Sequence, residues 1–354
     1  MDSSIIITFA IPLFFGLILI EFFYGVITKQ NNYRINDAIT SMSLGLISRF
    51  VPILGLGFQY VVYKAVAEHY NLKLLSGEEI WVWVTAFILY DICYYWMHRI
   101  HHEIKVFWAT HVVHHHGEEF NLATALRQTS TGFLWKWVFF LPLFIIGIPP
   151  QMYVTVAGLN LVYQFWVHTE HIGRLGFFEY IFVTPSNHRV HHAQNEDYLD
   201  ANYGGVFILW DRLFGTFIDE RSDLKPVYGT VKPLKSFNPF WANIEVFYQM
   251  IFDSYHTEKF TDKIRVWFSP PNWRPEDVSM KYPIDKNDLS SFEKYDPNIS
   301  LREKIFAGAQ FTVINLMTIV MLFNVQNYIY SEIISIVLLV CLLYTSPSPR
   351  DPSI

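Results

Sequence analysis

At 354 residues, with 52% hydrophobic and 18% aromatic side chains and a mean hydropathy of +0.22, the chain is too apolar for an ordinary soluble enzyme of its size. It reads as an integral, multi-pass membrane protein. A net charge of −6 gives no support for nucleic-acid binding, which needs a clustered basic surface, and two cysteines, Cys93 and Cys341, offer no disulfide framework.

Apolar runs over 5–27, 38–67, 80–97, 133–148, 152–167, 305–325 and from 328 onward predict an all-α architecture. A spanning helix needs roughly 20 such residues. The first run lacks a basic leading region and a small-residue cleavage site, so it reads as a retained anchor rather than a signal peptide. Arg49 and Pro52 interrupt the second. The runs at 133–148 and 152–167 are short and joined by Pro149 and Pro150, which predicts a hairpin that penetrates most of the bilayer without crossing it squarely. Residues 219–304 are the long polar stretch, with Trp273 and Arg274 among prolines, and predict a cap of short helices at the membrane interface.

This divides the chain into N-terminal transmembrane helices at 1–87, a central unit at 88–218, the polar segment at 219–304, C-terminal helices at 305–340 and a tail at 341–354. The tail, from Cys341 to Asp351, resembles the in-frame translation of a transposon-type sequencing-library adapter, and its Ser/Pro character breaks off an apolar run. It is expected to be an artefact, with the natural chain cut near Val340 and further spans missing.

Charge sets an expected orientation. Lys29 and Arg34 follow the first run, whereas Glu68, Glu78 and Glu79 outweigh Lys73 after the second, so 28–37 is expected on the cytoplasmic side. Counting forward puts 98–131 and 168–304 on that side too. The active site would then face the cytoplasm, across a bacterial inner membrane or, in a eukaryote, the endoplasmic reticulum.

Twelve of the fourteen histidines fall within 98–116 and 168–192. They form His98-x3-His102, His111-x2-His114-His115, a lone His168, and His188-x2-His191-His192. Positions i, i+3 and i+4 share a helix face, so each box aims its imidazoles at a common point. A closed zinc site needs four ligands; nine donors suffice for two ions of higher coordination. Imidazole suits iron among other metals, and a redox pair is the obvious use. His101 and His116 read as bystanders, and His69 and His256 carry no role. Asp91, two turns before His98, and Asn160 and Gln164, two turns and one turn before His168, are expected to support the ligands. Arg127 is either an anion or head-group contact or a snorkelling arginine.

The boxes with their flanks, Asp91-x2-Tyr94-Tyr95-Trp96-x-His98-Arg99, residues 118–128, Gln164 to Glu170, Asn187 to His192 and Trp210 to Thr216, resemble the fatty acid hydroxylase and sterol desaturase superfamily of membrane di-iron enzymes. Within it the resemblance is strongest to the branch that cleaves ether lipids. The resemblance implies two iron ions, oxygen activated against a lipid C–H bond, a lipid taken from the bilayer, and tetrahydrobiopterin or another reduced donor. It also implies a role for Glu103, which corresponds to a carboxylate needed in that branch and would act in catalysis by orienting a ligand or relaying a proton. His171, three residues after His168, stands where some hydroxylases of the wider family use a second histidine, and is a possible further ligand. A sterol or fatty-acid desaturase or hydroxylase fed by cytochrome b5 or ferredoxin is the enzyme alternative, since both reactions begin with hydrogen abstraction. A membrane metal transporter is the other, against which stands the gathering of the histidines at one face.

Overall fold

Helix α1 (Ser3–Thr28) opens a chain whose computed structural model describes residues 3–55, 57–75 and 77–345. The described residues are all-α apart from two isolated bridges, Phe182 to Phe207 and Ala193 to Tyr228. The apolar run at 38–67 becomes a broken passage of three helices, α2 (Ile35–Ile47), α3 (Phe50–Ile53) and α4 (Gln59–His69). Pro52 and Gly55 account for the break: proline lacks the N–H of a helical ladder, and Gly55 sits at φ +72°, a left-handed value that ends a helix.

Helix α5 (Ile80–Glu103) runs unbroken for 24 residues, six beyond the predicted apolar run, so that His98 and His102 ride on its last turns. The chain then turns through α6 (Lys105–Trp108) and α7 (Val112–His115). The predicted hairpin is present. Its first arm is a 3-10 turn over Lys136–Phe140 and α8 (Leu141–Ile146), and its second is α9 (Pro150–Trp166). At its tip Gly147 has φ +122°, and a Cβ there would lie 3.0 Å from Leu75 N, so the tip must be glycine to dock on the 71–75 loop. Leu72 N and Leu74 N donate to Ile145 O and Ile146 O at 2.7 and 2.9 Å.

The largest buried cluster joins α4, α5, α8 and α9 through Tyr63, Tyr90, Phe140, Phe144 and Met152, with the Tyr63 and Phe144 rings stacked at 4.2 Å. Lipid is as apolar as these side chains. Interlocking shape, rather than removal from water, therefore fixes the arms.

Helices α10 (Pro185–His191) and α11 (Leu209–Phe214) complete the central unit. The polar segment then folds as a cap of α12 (Pro239–His256), α13 (Phe260–Phe268) and α14 (Glu276–Lys281). The expected short helices are α13 and α14; α12 has 18 residues, is capped by Asn238 Oδ1 at Phe240 N, and packs Met250 with Val106 and Ala109 above the first histidine boxes. Helix α15 (Leu301–Phe323), opened by a Ser300–Glu303 capping box, pairs with α16 (Tyr330–Thr345) and with α2 and α3 around Ile314, Met321 and Phe50.

Helices α5 and α15 are each long and apolar enough to cross a membrane. Their outer faces, with Ile80, Trp81 and Val84 on α5 and Leu316, Val320 and Phe323 on α15, are exposed, while Asp91 and five histidines of the boxes, His98, His115, His168, His188 and His192, lie below 5% exposure. Apolar outside and polar inside is the arrangement of a chain solvated by lipid. The protein is an integral membrane protein.

Arg34 bonds Glu119, Glu118 and Tyr295 O, tying the α1–α2 loop to the histidine boxes and the cap, whereas the 71–75 loop holds the hairpin tip. Cysteines introduced as Leu75→Cys and Phe260→Cys are expected to react with an impermeant maleimide from opposite sides of the membrane; labelling from one side would overturn this topology.

Candidate metal centre

Four segments deliver the histidines. The last turns of α5 carry His98 and His102, and an extended residue, Ile104, turns the chain so that α7 presents His111, His114 and His115 back toward them. His168 follows the C-terminus of α9. In α10, Pro185 pre-sets the first turn and Asn187 Oδ1 accepts from Thr184 N at 3.1 Å, aiming His188, His191 and His192 inward.

The rings gather in two groups. His98, His102, His111, His115 and His191 form one; His114, His168, His188 and His192 form the other, and within each the candidate donor atoms lie within 4.8 Å of one another. All nine histidines of the four boxes are brought together. Backbone carbonyls orient the rings from behind: His98 Nδ1 donates to Tyr203 O at 2.8 Å, His191 Nδ1 to Ala201 O at 2.9 Å, His168 Nδ1 to Gln164 O at 2.8 Å and His114 Nδ1 to Arg127 O at 3.2 Å.

These bonds decide the chemistry. A neutral imidazole whose Nδ1 carries the proton presents Nε2 as a bare lone pair. His114 and His168 bring two such nitrogens within 3.2 Å, and His191 Nε2 is buried without a hydrogen-bond partner. Facing lone pairs repel, and a cation between them converts repulsion to ligation. Burial and the neighbouring rings push His111, His114, His115, His188 and His192 far below the ordinary imidazole range, with burial also taking His191 down to about 4 and His168 to about 3. Neutral imidazole is the ligating form. The donor set thus fits two metal ions, one facing five imidazoles and the other four.

The residues expected to support the ligands do so at one remove. Asp91 touches none of the nine rings; its carboxylate accepts from Asn160 Nδ2, Val206 N, Phe207 N and Trp210 Nε1 at 2.8–3.0 Å. Asp211 accepts from Tyr203 N and Gly204 N at 2.7 and 2.8 Å. Together the two carboxylates clamp the 203–207 loop whose Tyr203 carbonyl holds His98. A Cβ at Gly205 would come within 2.9 Å of Asp91 Oδ1, which explains glycine there. Asn160 and Gln164 are linked side chain to side chain, Gln164 Oε1 accepts from Tyr94 Oη at 2.6 Å, and it is the Gln164 backbone that meets His168. Asp211, Tyr203 and Ala201 were not singled out from the sequence. Asp211 could have been found as a second carboxylate in an apolar setting, but the carbonyls carry no side-chain signal.

The remaining residues considered from the sequence lie outside the two groups. Arg127 does not offer its guanidinium to a head group: Nη1 bonds Asp37 at 2.7 Å and Ser41 at 3.2 Å, Nε bonds Val113 O at 3.2 Å, and its carbonyl orients His114. Glu103 lies outside both groups, with its side chain 42% exposed and paired to Arg99 at 2.8 Å. His171 packs its ring on Tyr24, 5.1 Å away, and joins neither group. His101 bonds Met97 O at 2.6 Å, and His116 is buried beside Arg127; both stand apart from the groups, as do His69 and His256.

Because Asp91 satisfies four donors, Asp91→Ala is expected to cost at least about 3 kcal/mol. The measurement is thermal unfolding of the detergent-solubilised protein; an unchanged midpoint would show that the clamp contributes nothing.

Residues 83–216 match the Fatty acid hydroxylase family model. The chain is 40% identical over 267 residues to alkylglycerol monooxygenase of Homo sapiens, covering 75% of this chain and 59% of that protein. It is 38% identical over 285 residues to alkylglycerol monooxygenase of Xenopus tropicalis, covering 80% and 63%. More distant is the ornithine lipid hydroxylase OlsE of Rhizobium tropici, 27% identical over 142 residues, covering 38% and 41%. The chain thus spans about three-fifths of the length of the alkylglycerol monooxygenases it matches. No solved structure matches it. All nine clustered histidines fall within the 83–216 segment that matches the fatty acid hydroxylase family.

Proposed function

We propose that the protein is an oxygen-dependent di-iron monooxygenase that cleaves the ether bond of alkylglycerols, with its active site on the cytoplasmic face. The carrying observation is the meeting of the two imidazole groups with a cavity of about 810 Å³, toward the upper end of the roughly 300–1,000 Å³ usual for ligand sites. His111, His114 and His168 line one part of it; Met42, Leu126, Phe140, Phe165 and Leu322 supply apolar wall.

Two iron ions held by the nine histidines would supply activation of dioxygen against a C–H bond. The protein's own work is to fix the imidazoles, keep water from the reacting carbon and hold the alkyl chain beside His111 and His114. In the proposed reaction the carbon next to the ether oxygen gains a hydroxyl, with one oxygen atom of O2 going to the product and the other leaving as water at the expense of a two-electron donor. The hemiacetal then collapses to a fatty aldehyde and glycerol. A reduced pterin is the proposed donor. Two segments that resemble the ether-cleaving branch support this reading, since Leu126 to Gln128 and Gln164, Phe165 and His168 all line the cavity. Glu103 is proposed to act through Arg99, which also bonds Tyr95 Oη at 3.2 Å within the α5 turn that leads to His98.

The protein purified with iron available is expected to hold two iron ions per chain, and His114→Ala or His191→Ala to lower metal content and abolish turnover together, as read by elemental analysis. A single tightly held zinc unaffected by either change would sink the di-iron reading.

Membranes containing the protein are expected to release fatty aldehyde from an alkylglycerol only with oxygen and a tetrahydropterin, and much more slowly with Glu103→Gln. If the alkylglycerol stays intact while a sterol or acyl chain gains a hydroxyl or double bond, the ether-lipid assignment is wrong and the lipid oxygenase remains.

A further inference from the structure

The large cavity carries a charge imbalance. Arg49, Arg127 and Lys136 line it, and no aspartate or glutamate does so among the described residues. Arg127 is neutralised by Asp37 at 2.7 Å. The side chains of Arg49 and Lys136 make no hydrogen bond or ion pair with any described residue, and for each the protein supplies only burial. Arg49 sits at the start of α3, where the second membrane passage breaks, and Lys136 opens the 3-10 turn of the hairpin. Gly132 makes room for Lys136: a Cβ there would lie 3.1 Å from the lysine Cδ and Cε. Lys136 is near enough for its charge to act on His101, His111 and His114.

An unpaired cation inside a membrane protein is costly, and where one persists a partner is expected. Here two face a single cavity whose other walls are apolar and aromatic, with Ser48, Gln59, Thr129 and Ser130 as further polar lining. We propose that this cavity binds an amphiphile with an anionic head group, a phosphate or a carboxylate on an alkyl chain, with Arg49 and Lys136 as its counter-ions. The inference deepens the lipid-oxygenase reading and rests on it for the alkyl chain. It also ties specificity to position, because a head group held by a cation beside His111 and His114 leaves the first carbons of the chain, rather than its tail, next to the imidazole groups.

The test uses binding, so that it stands apart from turnover. Hexadecyl phosphate and hexadecanol, neither of which has an ether bond, compete with a fluorescent fatty probe for the purified full chain in uncharged detergent. Hexadecyl phosphate is expected to bind at least about tenfold more tightly, the equivalent of one charge-assisted hydrogen bond. Lys136→Met and Arg49→Gln should each reduce that ratio by about tenfold, while Lys136→Arg and Arg49→Lys, which keep the charge, preserve it. Equal affinities, or a preference that survives the double neutral variant, would overturn the proposal. Displacement of the probe by inorganic phosphate alone would assign the cations to a free anion and overturn the lipid-head assignment. Failure of aldehyde release with the charge preference intact would remove the ether-cleaving reading and leave the head-group site standing.

Discussion

Everything in the central unit answers to one electrostatic constraint: imidazole nitrogens with bare lone pairs are pointed at one another in a buried space. Such an arrangement is unfavourable by itself and has to be imposed. The imposition comes from behind, where carbonyls of residues 127, 164, 201 and 203 hold the Nδ1 protons and leave Nε2 nothing to do but face inward. The geometry is that of a metal-binding site, and it depends on the backbone that carries those carbonyls.

That dependence explains the heavy polar investment around the site. Asp91 and Asp211 hold four amides of one loop between them, at Tyr203, Gly204, Val206 and Phe207. Arg127, bound on three sides, fixes the carbonyl that meets His114. On the far flank Arg189 forms a bidentate pair with Glu220 and also bonds Thr169 O and Ile172 O, locking α10 to the strand of chain that follows His168. Charged side chains in this unit are mostly frame, set to keep loops in register, and the contrast with the two uncommitted cations of the cavity is correspondingly sharp.

Much of this was legible in the sequence. Histidine spacing announced the nine rings because helical periodicity translates directly into a shared face, and Pro149 and Pro150 announced the hairpin because proline ends one helix and begins another. Arg49 and Pro52 marked an interruption in the second apolar run, but the turn at Gly55 acts through a backbone angle that apolar content does not register. The partners of the histidines were hidden for a different reason. Spacing picked Asp91, Asn160 and Gln164 as side chains on the right helix faces, but the groups that meet the rings are carbonyls, identical in every residue, and only the fold says which of them is near. The charge of Arg127 suggested a head-group contact or a snorkelling side chain, and its partner Asp37, 90 residues earlier, was not visible in the spacing.

For the proposed lipid substrate, the break between α3 and α4 has an energetic consequence for uptake. Backbone not in a helix is tolerated at membrane depth only where protein or water satisfies it, and Gly57 in this break and Gln59 at the start of α4 border the cavity. A cavity so bordered would hold water when no lipid fills it. An alkyl chain sliding in from the bilayer gains nothing by exchanging one oily surrounding for another, but it does release that water to the bulk. Uptake would then be driven by dewetting, with a negative heat-capacity change that simple partitioning between two apolar phases would lack.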